Sequence, residues 1–316
     1  MRVFVTGATG FVMGAVTRRL RARGDEVVAL VRSRSRAGDL DAMGCQLVEG
    51  DLQRLAAEQV RGCDALIHGA AIYEIGVNAV RRRQMIETNV DGTRRVLEAA
   101  CQAAIGRTVF ISTIAAFGNT RGAVVSEGFE PNVPPTSAYE DTKRQAHRLA
   151  VAAIRGGQPI VILQPGQVYG PNDHSEIGTS LRALAAGRLR YLAFLGVGLN
   201  FVHVDDVADG IVRALDGGRL GESYILGGEI ARLGDAYRAV ADVTGRALPR
   251  VVVPDGLLRL AARLSPTLRE TVTSADGVTF WASDAKARAE LGTRPRDLRE
   301  GMRDTFGRAK ATMPAG

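Results

Sequence analysis

Cysteine is scarce in this chain. The 316 residues contain three, Cys45, Cys63 and Cys101, with no CxxC pair and no even-numbered set. That excludes a disulfide framework and fits reduced thiols in a cytoplasmic protein. The four histidines, His68, His147, His174 and His203, are too scattered for metal-ligand spacing, so no metal is expected. Lysine is as rare as cysteine: Lys143, Lys286 and Lys310 are the full set. The net charge of +7 therefore rests on arginine, spread along the chain with small clusters at 32, 34 and 36 and at 81–83. A nucleic-acid binder concentrates charge on one face and interleaves aromatics. Aromatics are 5% here, so no nucleic-acid partner is expected. No apolar run approaches the roughly 18–20 residues that span a bilayer, and no membrane partner is expected. The opening residues 1–7 read as a strand and turn, with no signal peptide in view.

What is present is ordinary globular chemistry, 46% hydrophobic and 24% charged. The first half alternates short apolar runs with longer helical patterns. Strands are expected at 3–6, 27–31, 46–48, 65–68, 108–112 and 160–163, and helices at 11–23, 78–104 and 138–154. The runs are apolar on both faces, as a parallel sheet covered by helices on both sides requires. The expected fold class is α/β, a doubly wound parallel (Rossmann) sheet. After Gly170-Pro171 the pattern loosens, with a helix expected at 177–186, strands at 200–203 and 223–226, and a helix capped by Asp205-Asp206 between them. The expected organisation is a dinucleotide-binding domain over 1–171 to which 200–226 returns. A smaller, interleaved substrate-binding part covers 172–199 and 227–311, with a frayed tail at 312–316.

Val3-Phe4-Val5-Thr6-Gly7-Ala8-Thr9-Gly10-Phe11-Val12-Met13-Gly14 reads as strand, glycine turn and helix start. Glycines let a backbone turn sharply against a pyrophosphate, and the helix N-terminus offers free N–H groups and a positive dipole end. The candidate phosphate-binding residues are Gly7, Thr9, Gly10, Phe11 and Val12. A second local signal is Tyr139-Glu140-Asp141-Thr142-Lys143. Its spacing stacks a phenol and an ammonium one helical turn apart. Six tyrosines and three lysines in 316 residues give roughly 0.06 such pairs by chance. A neighbouring ammonium lowers a phenol pKa, so Tyr139 is expected to exchange a proton with a carbonyl or alcohol oxygen, with Lys143 tuning it. Ser112 and Thr113 follow the fifth strand as candidate substrate-orienting hydroxyls.

These segments resemble the extended short-chain dehydrogenase/reductase family, the NAD-dependent epimerase/dehydratase group, and within it the dihydroflavonol-reductase-like and 3β-hydroxysteroid-dehydrogenase-like members. The resemblance covers nearly the whole chain. The family opening is TGxxGxxG; Thr6, Gly7 and Gly10 fit, while the third glycine is replaced by Met13, with Gly14 next. A methionine there would crowd the pyrophosphate or shift the helix. The resemblance makes Thr113, by its spacing from Phe117-Gly118, the orienting hydroxyl, with Tyr139 and Lys143 completing the catalytic set. It also has Lys143 hold the nicotinamide ribose, and Asp51 and Leu52 receive the adenine. Ala70 and Ala71, after Gly69, would let the dinucleotide lie close, and Asn89 would brace the strand ends. Pro165 and Val168, in Pro165-Gly166-Gln167-Val168-Tyr169-Gly170-Pro171, would hold the carboxamide. The family's arginine before that proline is Gln164 here.

The second strand ends at Arg32, and no carboxylate follows until Asp39. An NAD site places a carboxylate there for the ribose 2′-OH, whereas Arg32, with Arg34 or Arg36, suits a 2′-phosphate. NADP is therefore the expected cofactor, with NAD as the alternative. Tyr73–Asn78, His174–Arg190 and Leu192–Leu199 are expected around the substrate, and the apolar 192–195 run favours a small, mostly apolar ketone or secondary alcohol. The alternatives are a nucleotide-sugar epimerase or dehydratase, and a non-catalytic dinucleotide-binding protein. The resemblance further implies a homodimer through the helices at 78–104 and 138–154.

Overall fold

The computed structural model describes residues 1–307; the expected tail at 312–316, and residues 308–311 of the expected substrate-binding part, lie outside them. The strands are β1 (Arg2–Thr6), β2 (Glu26–Val31), β3 (Gln46–Glu49), β4 (Ala65–His68), β5 (Thr108–Ile111), β6 (Ile160–Pro165), β7 (Gln167–Tyr169), β8 (Tyr191–Leu192), β9 (Gly198–His203), β10 (Ser223–Leu226), β11 (Glu229–Arg232) and β12 (Val251–Val252). The helices are α1 (Phe11–Ala22), α2 (Gly38–Ala42), α3 (Ala57–Val60), α4 (Ala79–Met85), α5 (Gly92–Gln102), α6 (Ala138–Arg155), α7 (Glu176–Ala185), α8 (Val204–Gly217), α9 (Leu233–Thr244), α10 (Asp255–Ala262), α11 (Pro266–Ala275), α12 (Ala285–Leu291) and α13 (Leu298–Phe306).

Seven strands form one parallel sheet in the order β10-β6-β5-β4-β1-β2-β3. Alternation along β1 explains the two helical layers. Val3 and Val5 face a core shared with α1 and α8, whereas Phe4 faces one shared with α5. From β1 the chain builds outward to β2 and β3 on one side and to β4, β5 and β6 on the other. The loops leaving β1 and β4 therefore diverge and open a crevice at the carboxyl ends of the strands, the place where doubly wound sheets bind ligands. A three-stranded sheet, β11-β9-β7, and the β8/β12 pair build a second core with α7, α9 and α13 around Tyr169, Leu181, Phe201, Tyr237 and Met302. Gly198–His203 belongs to that small sheet, while α8 and β10 return to the large one.

Two local expectations change. The single helix expected over 78–104 is α4 and α5 separated by a wider π-helical stretch, Ile86–Asp91. There Asn89 accepts from the Ile72 N–H (2.7 Å) and donates to the Ile72 carbonyl (3.0 Å) and the Thr142 hydroxyl (3.0 Å). The Asn89 amide thereby ties the loop after β4 to α6. The cap of α8 is His203, whose Nδ1 accepts from the Asp205 N–H (3.2 Å), not Asp205-Asp206. Asp206 is instead drawn into a salt bridge with Arg296.

Candidate active site

The crevice holds a cavity of about 760 Å³. One end lies over the turn after β1. Gly7 sits at φ +79°, and a Cβ on it would meet the Ala70 backbone at 2.8 Å, so this turn requires glycine twice over. The Gly10 N–H closes the turn on the Gly7 carbonyl at 2.8 Å. Gly10 is also the N-cap of α1 and carries no capping side chain, which leaves the N–H groups of Phe11 and Val12 at the mouth. An open cradle with unpaired donors at a helix N-terminus fits a pyrophosphate.

Met13 is accommodated rather than obstructive. Its side chain is 2% exposed and packs in the core with Val5 and Val31. Its Cγ and Sδ fill the space that a Cβ on Gly69 would need. Gly14 does not inherit the missing glycine's role, since a Cβ there would meet nothing closer than 3.5 Å.

The remaining expected cofactor residues line the same cavity. Arg32 stands exposed at its rim beyond β2, while Arg34 is held by the Leu47 carbonyl (2.8 Å) and so is not available beside it. Asp51 caps the short 3-10 turn that follows β3, with one oxygen accepting from Gln53 N–H (2.9 Å), and Leu52 is buried against Gly92. Ala70, Ala71, Pro165 and Val168 line the wall. Gln164, in place of the family's arginine, is fully buried, and neither of its amide atoms has a partner among the described residues.

At the other end, Thr113, Tyr139 and Lys143 meet on the cavity wall. Ser137 caps α6 one residue pair before Tyr139, its hydroxyl accepting from Glu140 N–H at 3.2 Å. Below it the buried Glu140 pairs with Arg144 at 2.5 Å and accepts from the Thr136 N–H and hydroxyl, while Arg144 also donates to the Ala116 and Val133 carbonyls. This network clamps the Thr113–Ser137 loop onto α6. Gly118 (φ +71°) permits it, because a Cβ there would strike the guanidinium at 2.7 Å. Ser112 is turned to His147, Oγ to Nδ1 3.0 Å, so Thr113 is the hydroxyl that faces the phenol.

The electrostatics correct one expectation. Burial pushes the Tyr139 phenol up to about 12, eased by the Thr113 hydroxyl, and Lys143 is not among the groups that shift it. The Lys143 ammonium donates to the Ile111 carbonyl at 2.8 Å, and burial brings it down to about 8. In this environment the phenol is a protonated donor at neutral pH, not an acidified one.

Beyond Tyr139 the cavity turns apolar. The Tyr73 ring packs edge-on against the Tyr139 ring with centroids 4.6 Å apart. Ile72, Ile177, Phe194, Val197 and Phe280 continue the wall. Phe194 holds a left-handed φ of +53°, fixed by the turn in which Val197 N–H meets its carbonyl at 3.1 Å. Sequence reasoning missed Leu233, Phe280 and the α11 residues Thr271, Ser274 and Ala275. Their segments carry no chemical motif, and only the tertiary path of the chain brings them here.

Residues 3–227 match the NAD dependent epimerase/dehydratase family, and the chain belongs to it. The relatives it resembles include reductases. A Synechocystis protein whose name, dihydroflavonol 4-reductase, is provisional is 34% identical over 95% of this chain and 92% of its own length. The 4-hydroxy-2-methyl-3-oxo-4-farnesyl-3,4-dihydroquinoline-1-oxide ketoreductase of Stigmatella aurantiaca is 32% identical over 92% of this chain and 91% of its own. Among solved structures, the dTDP-glucose 4,6-dehydratase DesIV of Streptomyces venezuelae, with NAD bound, superposes with a TM-score of 0.80 at 26% identity. That likeness covers 99% of this chain and 98% of DesIV. The protein is thus an enzyme of the extended short-chain dehydrogenase/reductase type, with the parallel Rossmann sheet of that family.

Proposed function

We propose that this enzyme is an NADP(H)-dependent oxidoreductase that interconverts a small, mostly apolar ketone and its secondary alcohol. A bound nicotinamide dinucleotide supplies or accepts the hydride. Gly7, Thr9, Gly10, Phe11 and Val12 would hold its pyrophosphate, Arg32 its 2′-phosphate, Asp51 and Leu52 its adenine, and Lys143 the nicotinamide ribose. Ala70, Ala71, Pro165 and Val168 would shape the groove. Thr113 orients the substrate oxygen, and the Tyr139 hydroxyl gives that oxygen its proton in reduction. A phenol held near 12 is fully protonated at neutral pH and suited to this direction.

One observation carries the choice of substrate. A sugar diphosphate needs cationic donors beyond the phenol. Around the cavity the cationic side chains are Arg32, at the far rim, and Lys143, and the ionisable residues past Tyr139 are Asp173, His174 and Glu176. Carboxylates there repel a diphosphate, and Ile72, Ile177, Phe194 and Phe280 favour apolar carbon. The reductase and ketoreductase names of the two relatives support the same direction. The test is a panel of ketones and alcohols scored by net NADPH or NADH depletion. Stoichiometric NADPH loss with apolar ketones supports the reading. Conversion of a nucleotide sugar without net depletion replaces it with the epimerase or dehydratase alternative. We extend the same reading to a cytoplasmic homodimer paired through α5 and α6, which sedimentation velocity tests.

A further inference from the structure

Six of the thirteen exposed large apolar side chains among the described residues fall in one short region, Tyr191, Val251, Val252, Leu257, Leu260 and Leu264. β8 and β12 place Tyr191 beside Val251. Leu257 and Leu260 stand at i and i+3 on α10 and so share one face, and Leu264 follows just past the helix end. Leu257 and Leu260 are 57% exposed and Leu264 is 88% exposed, which is the wrong side for leucine on a helix in water. The helix keeps only Ala262 buried.

The charge around this stripe has one sign. The segments 186–192 and 246–270 carry seven arginines against Asp255 and Glu270. Arg259 is engaged by Asp276, and Glu270 accepts from the Ala138 N–H. Arg190, Arg250, Arg263 and Arg269 are exposed and form no salt bridge among the described residues. Arg190 and Arg250 precede the paired positions Tyr191 and Val251, so they flank the apolar patch together. A second copy of this face would set arginine against arginine. An acidic, partly apolar surface suits it.

The helix that carries the leucines is also one helix away from the active site. α10 packs on α11, whose Thr271, Ser274 and Ala275 line the cavity. The loop after β4 leans on the same helix, since a Cβ on Gly76 would meet the Thr271 hydroxyl at 2.8 Å.

We propose that the leucine stripe of α10 and its arginine rim dock the enzyme on the headgroup region of an anionic phospholipid bilayer, with the cavity mouth beside the lipid. The leucines enter the interface and the arginines meet lipid phosphates, the division of labour of an interfacial amphipathic helix. The sequence expectation of no membrane partner rested on spanning length, which a helix lying in the interface does not need.

Vesicle flotation tests this with the full-length enzyme. Wild type floats with vesicles of equal parts phosphatidylglycerol and phosphatidylcholine and not with phosphatidylcholine alone, and added salt releases it. Leu257→Ser/Leu260→Ser/Leu264→Ser lowers flotation by about tenfold or more, given how much of such binding rests on buried apolar area. Arg250→Gln/Arg263→Gln lowers it to the level seen with phosphatidylcholine. All these side chains are exposed, so both variants keep the wild-type melting temperature and its shift with NADPH. Absence of wild-type flotation at low salt overturns the proposal, as does undiminished flotation of the leucine variant. A dimer that the leucine variant dissociates, without flotation, assigns the face to a second copy and also overturns it. Flotation needs no substrate, so its failure and the failure of the reductase reading are seen separately.

Discussion

The Thr6 hydroxyl donates to Nδ1 of His68 across 2.7 Å, directly beneath the phosphate turn. The other side of the ring settles the direction. Thr93 gives its hydrogen to the Asn89 carbonyl at 2.7 Å and so accepts from His68 Nε2–H at 2.9 Å. The imidazole is a neutral link in a one-way chain from the turn to Asn89. Burial, and then the positive charge of Lys143, brings its pKa down to about 3; His147 is brought to about 4 by burial and the same lysine. Both lie below the ordinary histidine value of about 6.5. Below that value the unfolded chain takes up protons that the folded chain refuses. Stability from these two sites is therefore whole above pH 6.5 and falls as pH drops toward 3, by several kcal/mol in all. Melting temperature against pH measures the slope, and His68→Gln makes it shallower.

Replacing Tyr139 by Phe removes the proton and little volume. Turnover of the best ketone falls by about 10²–10⁴-fold, the usual loss for a general acid. The melting shift with NADPH stays at the wild-type size, because the pyrophosphate turn is untouched. Turnover close to wild type overturns the assigned role.

Of Arg32, Arg34 and Arg36, Arg32 alone lines the cavity and Arg34 is engaged by the Leu47 carbonyl, so one guanidinium carries the expected contact with a 2′-phosphate. Arg32→Asp lowers kcat/KM for NADPH and raises it for NADH, which inverts the preference. Steady-state rates with both coenzymes on wild type and variant measure it. A wild type that prefers NADH removes the assignment.

The Glu140–Arg144 pair is buried and fully bonded. Glu140→Gln leaves a guanidinium without its counter-charge at the base of the catalytic loop. The expected loss of stability is about 3–5 kcal/mol, read from urea unfolding.

Gly69→Ala places a methyl group where the Met13 side chain lies. Overpacking of this kind costs about 1–3 kcal/mol. Met13→Ala removes the clash but leaves a cavity, so the double variant loses less stability than the two single losses added, and a double-mutant cycle reads the difference as coupling.

Legibility in the sequence followed the range of the interactions. Gly7 and Gly10 were visible because a phosphate turn is built within a few residues, and Tyr139 and Lys143 because one helical turn joins them. The doubly wound sheet was visible in the both-sided apolar runs. The break at Ile86–Asp91 was not, since Asn89 answers to Ile72 and Thr142 rather than to its own helix. The Tyr139 phenol was expected to be acidified because spacing brings Lys143 near. Its actual environment depends on how much protein covers it, which no spacing records. His203 took the helix cap from Asp205 because adjacent residues offer similar acceptors and Arg296 claims Asp206.

Under the nucleotide turn, Met13 and Gly69 divide one allotment of space between a helix and a strand end. The room between them is taken by the Met13 thioether, and Gly69 leaves it free. A chain judged only by the missing glycine would be taken for a degraded nucleotide site, although the side chain at that position is housed beside the glycine that follows β4 and leaves the cradle open.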